Sequence, residues 1–474
     1  MPNVQKPKLS DEEIKLGMKY SIKDGATVSA RDSIFSNFTI PFALALGAGT
    51  EAVGFITALP QLATSLFAPF IGNLIERARS RKELCTTALL FSHLLWLPVA
   101  ILPLLFLAGA ESLWMFALLI TAAQLARSIG SIAWSTWIAD IVPEKIRGKF
   151  FAKRNMAASA AAFCATLFGG WLLGLTDGTR GFAALFVTAV FFGLISYWFL
   201  KRTPDIKTKG PQKRFYFEFS KIPKIFRINP DFKNYTVMAA IFNFAVYLAA
   251  PFFAVYMLRE MNIGYEWFSV VVATEVMTMI LAQRYWGRLA DRFGDRPVMA
   301  VCGALVSLYP AMWLFISQPW HILFAAVLSG IAWAGFDITS FNYLLDVTPE
   351  ERRHFYICDF KMFTNLGIVA GPIAGGFLAA AFAGTAFLWM GGIQLVFLLS
   401  FLLRGASIAF FLPRLKEVRV KKRYHIRNVF WKSVAVYPVK GAMHDVVTIF
   451  HALHRVEQKI EDRERRLFKG PAGN

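Results

Sequence analysis

Three carboxylates stand inside long apolar stretches of this chain: Asp32, Glu275 and Asp337. Two arginines, Arg31 and Arg127, are embedded in the same way. A charged side chain is costly where the surroundings are hydrocarbon, so each is a candidate for moving protons, ions or charged solutes. The sequence shows no nucleophile–base set, phosphate loop or Cys/His cluster, so neither enzymatic chemistry nor a cofactor or metal is expected.

The neighbours of these groups fall on helical faces. Ser29, Asp32, Ser33 and Ser36, with Asn37, form a polar stripe at spacings of three and four. Gln124, Arg127, Ser131, Trp134 and Ser135 form a second. Asp32 and Arg127 differ in depth by roughly 7 Å at a rise of about 1.5 Å per residue, within reach of an arginine. Two readings are open for Asp32: a working pair with Arg127, or a structural pair with Arg31 or Lys23. Glu275, near mid-span with Thr274 and Thr278 close by, is either a proton carrier or a neutral packing group. Asp337 has Ser340 and Trp333 near it in sequence, with Arg284 as a candidate partner. Asn243 and Tyr247, one turn apart, form either a polar pair in a cavity or glue between helices. His93, alone in its apolar stretch, reads as a packed core residue. Trp134, Trp137 and Trp333 offer rings for a ligand or for packing.

The elements that must hold these groups follow from composition. Of 474 residues, 56% are apolar or aromatic and 17% are charged, too few charges for a water-soluble surface. Much of the surface must face lipid. Twelve apolar windows can cross a bilayer, near 24–47, 53–75, 83–107, 113–140, 155–175, 182–200, 234–258, 265–287, 297–317, 321–346, 360–381 and 387–412. Helices are required there, because lipid leaves each backbone group to bond within its own segment. The net charge of +20 reads as basic loops facing anionic lipid, and no nucleic-acid partner is expected. Lysines and arginines crowd the loops after the even-numbered spans, while the opposite loops carry Arg180 and Arg259. Both termini are therefore expected in the cytoplasm, in a cell inner membrane.

Residues 1–23 form a polar lead without the apolar core of a signal peptide. Residues 24–200 and 234–412 are two sets of six spans. Residues 201–233 are a basic linker broken by Pro204 and Pro211. Residues 413–474 are a basic tail with an amphipathic helical stretch, expected on the membrane or the protein itself. Cys85, Cys164, Cys302 and Cys358 are scattered and should stay reduced.

The two sets repeat each other. Asp140-Ile-Val-Pro143-Glu144-Lys-Ile-Arg147 returns as Asp346-Val-Thr-Pro349-Glu350-Glu-Arg-Arg353, and the same offset carries Gly169-Gly170 onto Gly375-Gly376. Gly72-Asn-Leu74-Ile-Glu76-Arg77 returns as Gly287-Arg-Leu289-Ala-Asp291-Arg292, and that offset carries Arg81 onto Arg296. The segment from Gly287 to Arg296 resembles the loop signature of the major facilitator superfamily between its helices 8 and 9. The Gly72 copy resembles the counterpart between helices 2 and 3, with Glu76 for the usual Asp. The Asp-x-x-Pro-Glu-x-x-Arg copies resemble the motif after helices 4 and 10.

The resemblance covers about residues 20–412. It implies an all-α membrane protein, twelve transmembrane helices in two homologous six-helix bundles around a cavity opening to each side in turn. It also implies that helices 1, 4, 7 and 10 line that cavity. Some proton-coupled sugar symporters of the superfamily pair a helix-1 Asp with a helix-4 Arg. The loop residues Gly72, Glu76, Arg77, Asp140, Arg147, Gly287, Asp291, Arg292, Asp346 and Arg353 read as conformational latches, with solvated topology charges as the alternative. The cavity set is Arg31, Asp32, Gln124, Arg127, Asn243, Tyr247, Glu275, Trp333 and Asp337. Gly367-x-x-x-Gly371-Pro372-x-x-Gly375-Gly376 has the form of the superfamily's antiporter motif, but lies in helix 11 instead of helix 5. Antiport is therefore not carried over. The expected function is secondary active transport of a small organic solute, proton-coupled, by a monomer in contact with membrane lipid. The alternatives are a uniporter or lipid mover of the same fold, and a non-transporting sensor or assembly factor.

Overall fold

The computed structural model describes residues 9–418 apart from 79, 103–109, 177, 206–225, 227, 351–352 and 385–389. The amphipathic stretch expected in the tail, and most of the linker, lie outside the described residues.

Among the described residues the chain forms twelve long helices, counting the broken third as one. They are α1 (Asp11–Ala45), α2 (Thr50–Arg77), α3 (Arg81–Leu94, continued past Leu95 by Trp96–Ile101), α4 (Ala110–Ile141), α5 (Glu144–Gly174) and α6 (Arg180–Arg202) in the first half. The second half holds α7 (Pro230–Val255), α8 (Tyr265–Phe293), α9 (Asp295–Met312), α10 (Pro319–Asp346), α11 (Arg353–Ala381) and α12 (Gly392–Phe411). Ten of these are long and apolar enough to cross a membrane by length and composition. The other two are α1, which carries the polar stripe, and the short α9, which opens on Asp295-Arg296.

Several helices run past their apolar windows. α1 starts at Asp11, well before the expected 24, because Ser10 and Glu13 close a capping box there. The Ser10 N–H donates to Glu13 at 2.8 Å, and the Glu13 N–H donates to Ser10 Oγ at 3.2 Å. Hydropathy does not register such a polar first stretch. Asn229 caps α7 from in front of Pro230, accepting from the Phe232 N–H at 3.0 Å. Its amide also donates to the Val347 carbonyl at 2.8 Å, tying the start of α7 to the end of α10.

Aromatic rings fill the interior of each half. Phe35 stacks on Trp96 at 3.6 Å, and Phe42 meets Phe116 and Phe186 edge-on at 5.0 and 5.1 Å. In the second half Tyr235 stacks on Phe360 at 5.3 Å and Phe253 on Phe397 at 4.6 Å. The halves meet along two seams, α2 against α11 and α5 against α8. Both seams are tight at the end away from the basic loops. A Cβ on Gly54 would collide with the Pro372 carbonyl, and one on Gly376 would lie 2.7 Å from the Thr50 carbonyl. Phe55–Phe377 crosses the first seam at 5.8 Å, a Cβ on Gly170 would collide with Ser269 across the second, and beside it Phe38 of α1 meets Phe268 of α8 at 6.1 Å. Gly367 and Gly371 of the misplaced glycine motif lie against the α7 backbone at Ala240 and Phe244, so that motif serves close helix crossing here.

Candidate functional site

Asp32 is held by two arginines. Its Oδ1 accepts from Arg31 Nη1 at 2.7 Å, and its Oδ2 accepts from Arg127 Nη2. Asp32 thus touches both arginines named as candidate partners, its neighbour on α1 and Arg127 on α4. Arg31 is buried, its other terminal nitrogen donating to the Ser92 Oγ of α3 at 3.1 Å. Asp32 and Arg127 are partly open, with side chains 28% and 26% exposed. They open onto a cavity of about 410 Å³ walled by α1, α2, α3 and α4. Gln124, Gln61 and Thr57 add polar groups, and Phe35, Ile56, Ile120 and Trp96 add apolar wall.

The α1 stripe divides between two neighbours. Asp32 and Ser36 face the cavity. Ser33 and Asn37 turn to α5, where Thr166 Oγ1 lies 2.6 Å from Ser33 Oγ and accepts from Asn37 at 3.0 Å. Trp134, on the α4 stripe, packs under the Arg154 guanidinium at 4.1 Å.

The second-half candidates do not line this cavity. Glu275 accepts from Ser329 Oγ of α10 at 2.6 Å, inside its own half. Asn243 donates back to Ala239 of its own helix at 2.9 Å, and no bond joins it to Tyr247. Trp333 packs edge-on to Phe336 at 5.9 Å. Asp337 is exposed, and no ion pair with the exposed Arg284 forms among the described residues. His93 is fully buried against Gly193, as expected of a packing group.

The loop motifs are built by a repeated bond. Arg147 donates to the Ala139 carbonyl at 3.0 Å, and Arg353 to the repeat-equivalent Leu345 carbonyl at 3.4 Å. Each arginine thus satisfies a carbonyl at the end of the helix before it. The halves differ elsewhere. Arg81 pairs with Asp140 at 2.8 Å. Its counterpart Arg296 instead donates to the Leu412 carbonyl at 3.1 Å, and its backbone N–H donates to Glu417 at 2.8 Å. Asp346, the counterpart of Asp140, is exposed. A Cβ on Gly72 or Gly287 would meet nothing within 4 Å, so neither glycine is in close contact with a neighbouring helix in this state. Arg77, Asp291 and Arg292 are exposed at the ends of their helices, and the Glu76 side chain lies outside the described residues.

Four buried charged groups were not singled out by the sequence reading, Asp24, Asp295, Asp359 and Arg404. Asp24 of α1 accepts from Ser196 of α6 at 2.6 Å and faces Arg154 of α5 at 3.5 Å. Placing the start of the first span at 24 put this residue on a solvated edge. Arg404 of α12, 1% exposed, donates to the carbonyls of Val306 and Val246 at 3.0 and 3.3 Å. Its charge within an apolar run was the available signal.

Comparison with known proteins agrees with this architecture. The chain is 25% identical over 213 residues to the multi-drug resistance efflux pump PmrA of Streptococcus pneumoniae serotype 4 (strain ATCC BAA-334 / TIGR4), covering 40% of this chain and 51% of that protein. The chain thus spans about half the length of that curated relative. Among solved structures, the fold resembles a point mutant of the nucleoside transporter NupG, with a TM-score of 0.67 at 14% identity over 85% of this chain and 100% of that one. It also resembles a bacterial homologue of the lysosomal transporter Spinster, inward-facing and occupied, with a TM-score of 0.66 at 16% identity over 88% and 100%. The family model of the Major Facilitator Superfamily matches residues 25–274 and 235–450. A multi-pass helical bundle with these loop motifs and this match belongs to the major facilitator superfamily.

Proposed function

We propose that this chain is a secondary active transporter that moves a small organic solute by alternating access, coupled to protons. The observation that carries this reading is Asp32, shared between Arg31 and Arg127 at the wall of a cavity. A carboxylate whose partner sits on another helix can lose that partner when helices shift, and can then take up a proton. The relatives' names, an efflux pump and a nucleoside transporter, fit an organic cargo.

In this reading all twelve helices cross a cell inner membrane, with both termini in the cytoplasm and the protein working as a monomer. The tight end of the two seams is then the closed outer gate. The open ground around Gly72 and Gly287 is where the halves would close in the opposite state.

The test is uptake into proteoliposomes of a solute found by thermal-shift screening, which works because a ligand of the folded state raises its apparent stability. Asp32→Asn should abolish accumulation driven by a pH gradient while sparing exchange at equal pH. Full pH-driven accumulation by the mutant would reject Asp32 as the coupling group.

A further inference from the structure

The bonding around Asp32 says what charge the solute carries. Both carboxylate oxygens are already taken, one by each arginine. A cationic solute entering the cavity would meet no free carboxylate among its lining residues. Arg127 has the opposite character. Its bond to Asp32 uses one nitrogen, and it makes no other hydrogen bond among the described residues. The side chains of Gln61 and Gln124 likewise have no partner among the described residues, and both face the cavity. Two guanidiniums against one carboxylate leave a net positive wall. The rest of it is apolar: Phe35, Ile56, Ile120 and Trp96.

We infer that this cavity takes a singly charged organic anion with an apolar body, its acid group bound by Arg127 and its body laid against the Phe35–Trp96 wall. The inference rests on the transport reading in placing the cavity on the solute's path. A guanidinium binds a carboxylate through two parallel hydrogen bonds, so the solute can replace Asp32 as the partner of Arg127. Asp32 then keeps only Arg31, which is itself held by Ser92. One proton from the open side joins the freed Asp32 oxygen, and the site binds one anion and one proton together with no change of net charge. The charged groups facing Asp32 are Arg31 of α1 and Arg127 of α4. From α2 it faces Thr57 and Gln61, and from α3 Ser92 and Trp96, while His93 of α3 packs instead against Gly193 of α6.

The probes are para-butylbenzoate, para-butylbenzamide and para-butylbenzylamine, which share a body and differ in charge. Calorimetry on the full chain in nanodiscs should find the benzoate bound about tenfold or more tighter than the amide. Titration in two buffers of different ionisation enthalpy should show close to one proton taken up with the benzoate and none with the amide, a readout that needs no variant. Arg127→Gln should erase the benzoate preference. Asp32→Asn should keep it and lose the proton uptake. The inference is overturned if the amine binds best, if the benzoate gains nothing over the amide or fails to bind, or if Arg127→Gln leaves the preference intact. Selective benzoate binding without any uptake into proteoliposomes would sink the transport reading and leave the anion site standing. Amine uptake driven by a pH gradient would do the reverse.

Discussion

Arg404 donates to the carbonyl of Val306, and that carbonyl is an acceptor its own helix leaves unpaired. The helical donor to Val306 would be residue 310, which is a proline and has no N–H. A side chain from α12 thus completes the backbone bonding of α9 where no water can.

This assigns Arg404 a cost that depends on Pro310. Arg404→Met should lower the thermal unfolding temperature of the purified protein, since a hydrogen bond from a charged group is worth about 1.5–3 kcal/mol. Pro310→Ala restores a helical donor. Arg404→Met should therefore cost less in that background, by about 1 kcal/mol. Equal losses in both backgrounds would remove the proline from the explanation.

Asp24 and Arg154 give a second stability test. Asp24→Ala leaves the partly buried Arg154 guanidinium without its carboxylate, at a cost of up to about 3 kcal/mol, the low end for a buried pair. The double variant Asp24→Leu with Arg154→Leu removes both charges and should recover most of the loss. Thermal unfolding in one detergent compares them, and a double variant as unstable as Asp24→Ala would count against a charge-pair origin.

The carboxylates separate by position. Glu275 bonds to Ser329 within the second half and stands off the cavity. Glu275→Gln should keep pH-driven accumulation within about twofold of the parent, whereas Asp32→Asn should abolish it. A Glu275→Gln variant that exchanges solute but no longer accumulates it would move the coupling proton to the second half.

The seam at Gly54 bears on alternation. A larger side chain there meets the Pro372 carbonyl across the α2–α11 contact. Gly54→Val should force the halves apart at this end and favour the opposite state. A cysteine introduced at Thr57, with the native cysteines replaced, should react with an impermeant maleimide several-fold faster in Gly54→Val. An unchanged rate would show that this contact does not hold the gate.

Much of this was legible in the residues alone. The Asp32–Arg127 pair was legible because the superfamily resemblance puts helices 1 and 4 at one cavity, and at one rise per residue their depth difference is within an arginine's reach. The repeat of Arg147 in Arg353 showed as a constant offset and proved to be one bond made twice. Other features depend on rotation about helix axes, which hydropathy does not encode. Glu275 and Asn243 bond inside their own half and stand off the cavity wall. Asp24 was hidden by the polar extension of α1, and Arg404 by partners that are backbone carbonyls, carried by every residue and marked by none.

The divergence between Arg81 and Arg296 has a structural consequence. A duplicated half inherits its ancestor's bonds, and α4 and α10 still share theirs through Arg147 and Arg353. The Arg81–Asp140 ion pair belongs to the first copy, while Arg296 is tied to Leu412 and Glu417, residues at the exit of the last helix. The second copy has made the stretch of chain leaving the membrane part of its own closure. A change in that stretch would therefore disturb the bonding of the second half while leaving the Arg81–Asp140 pair of the first untouched.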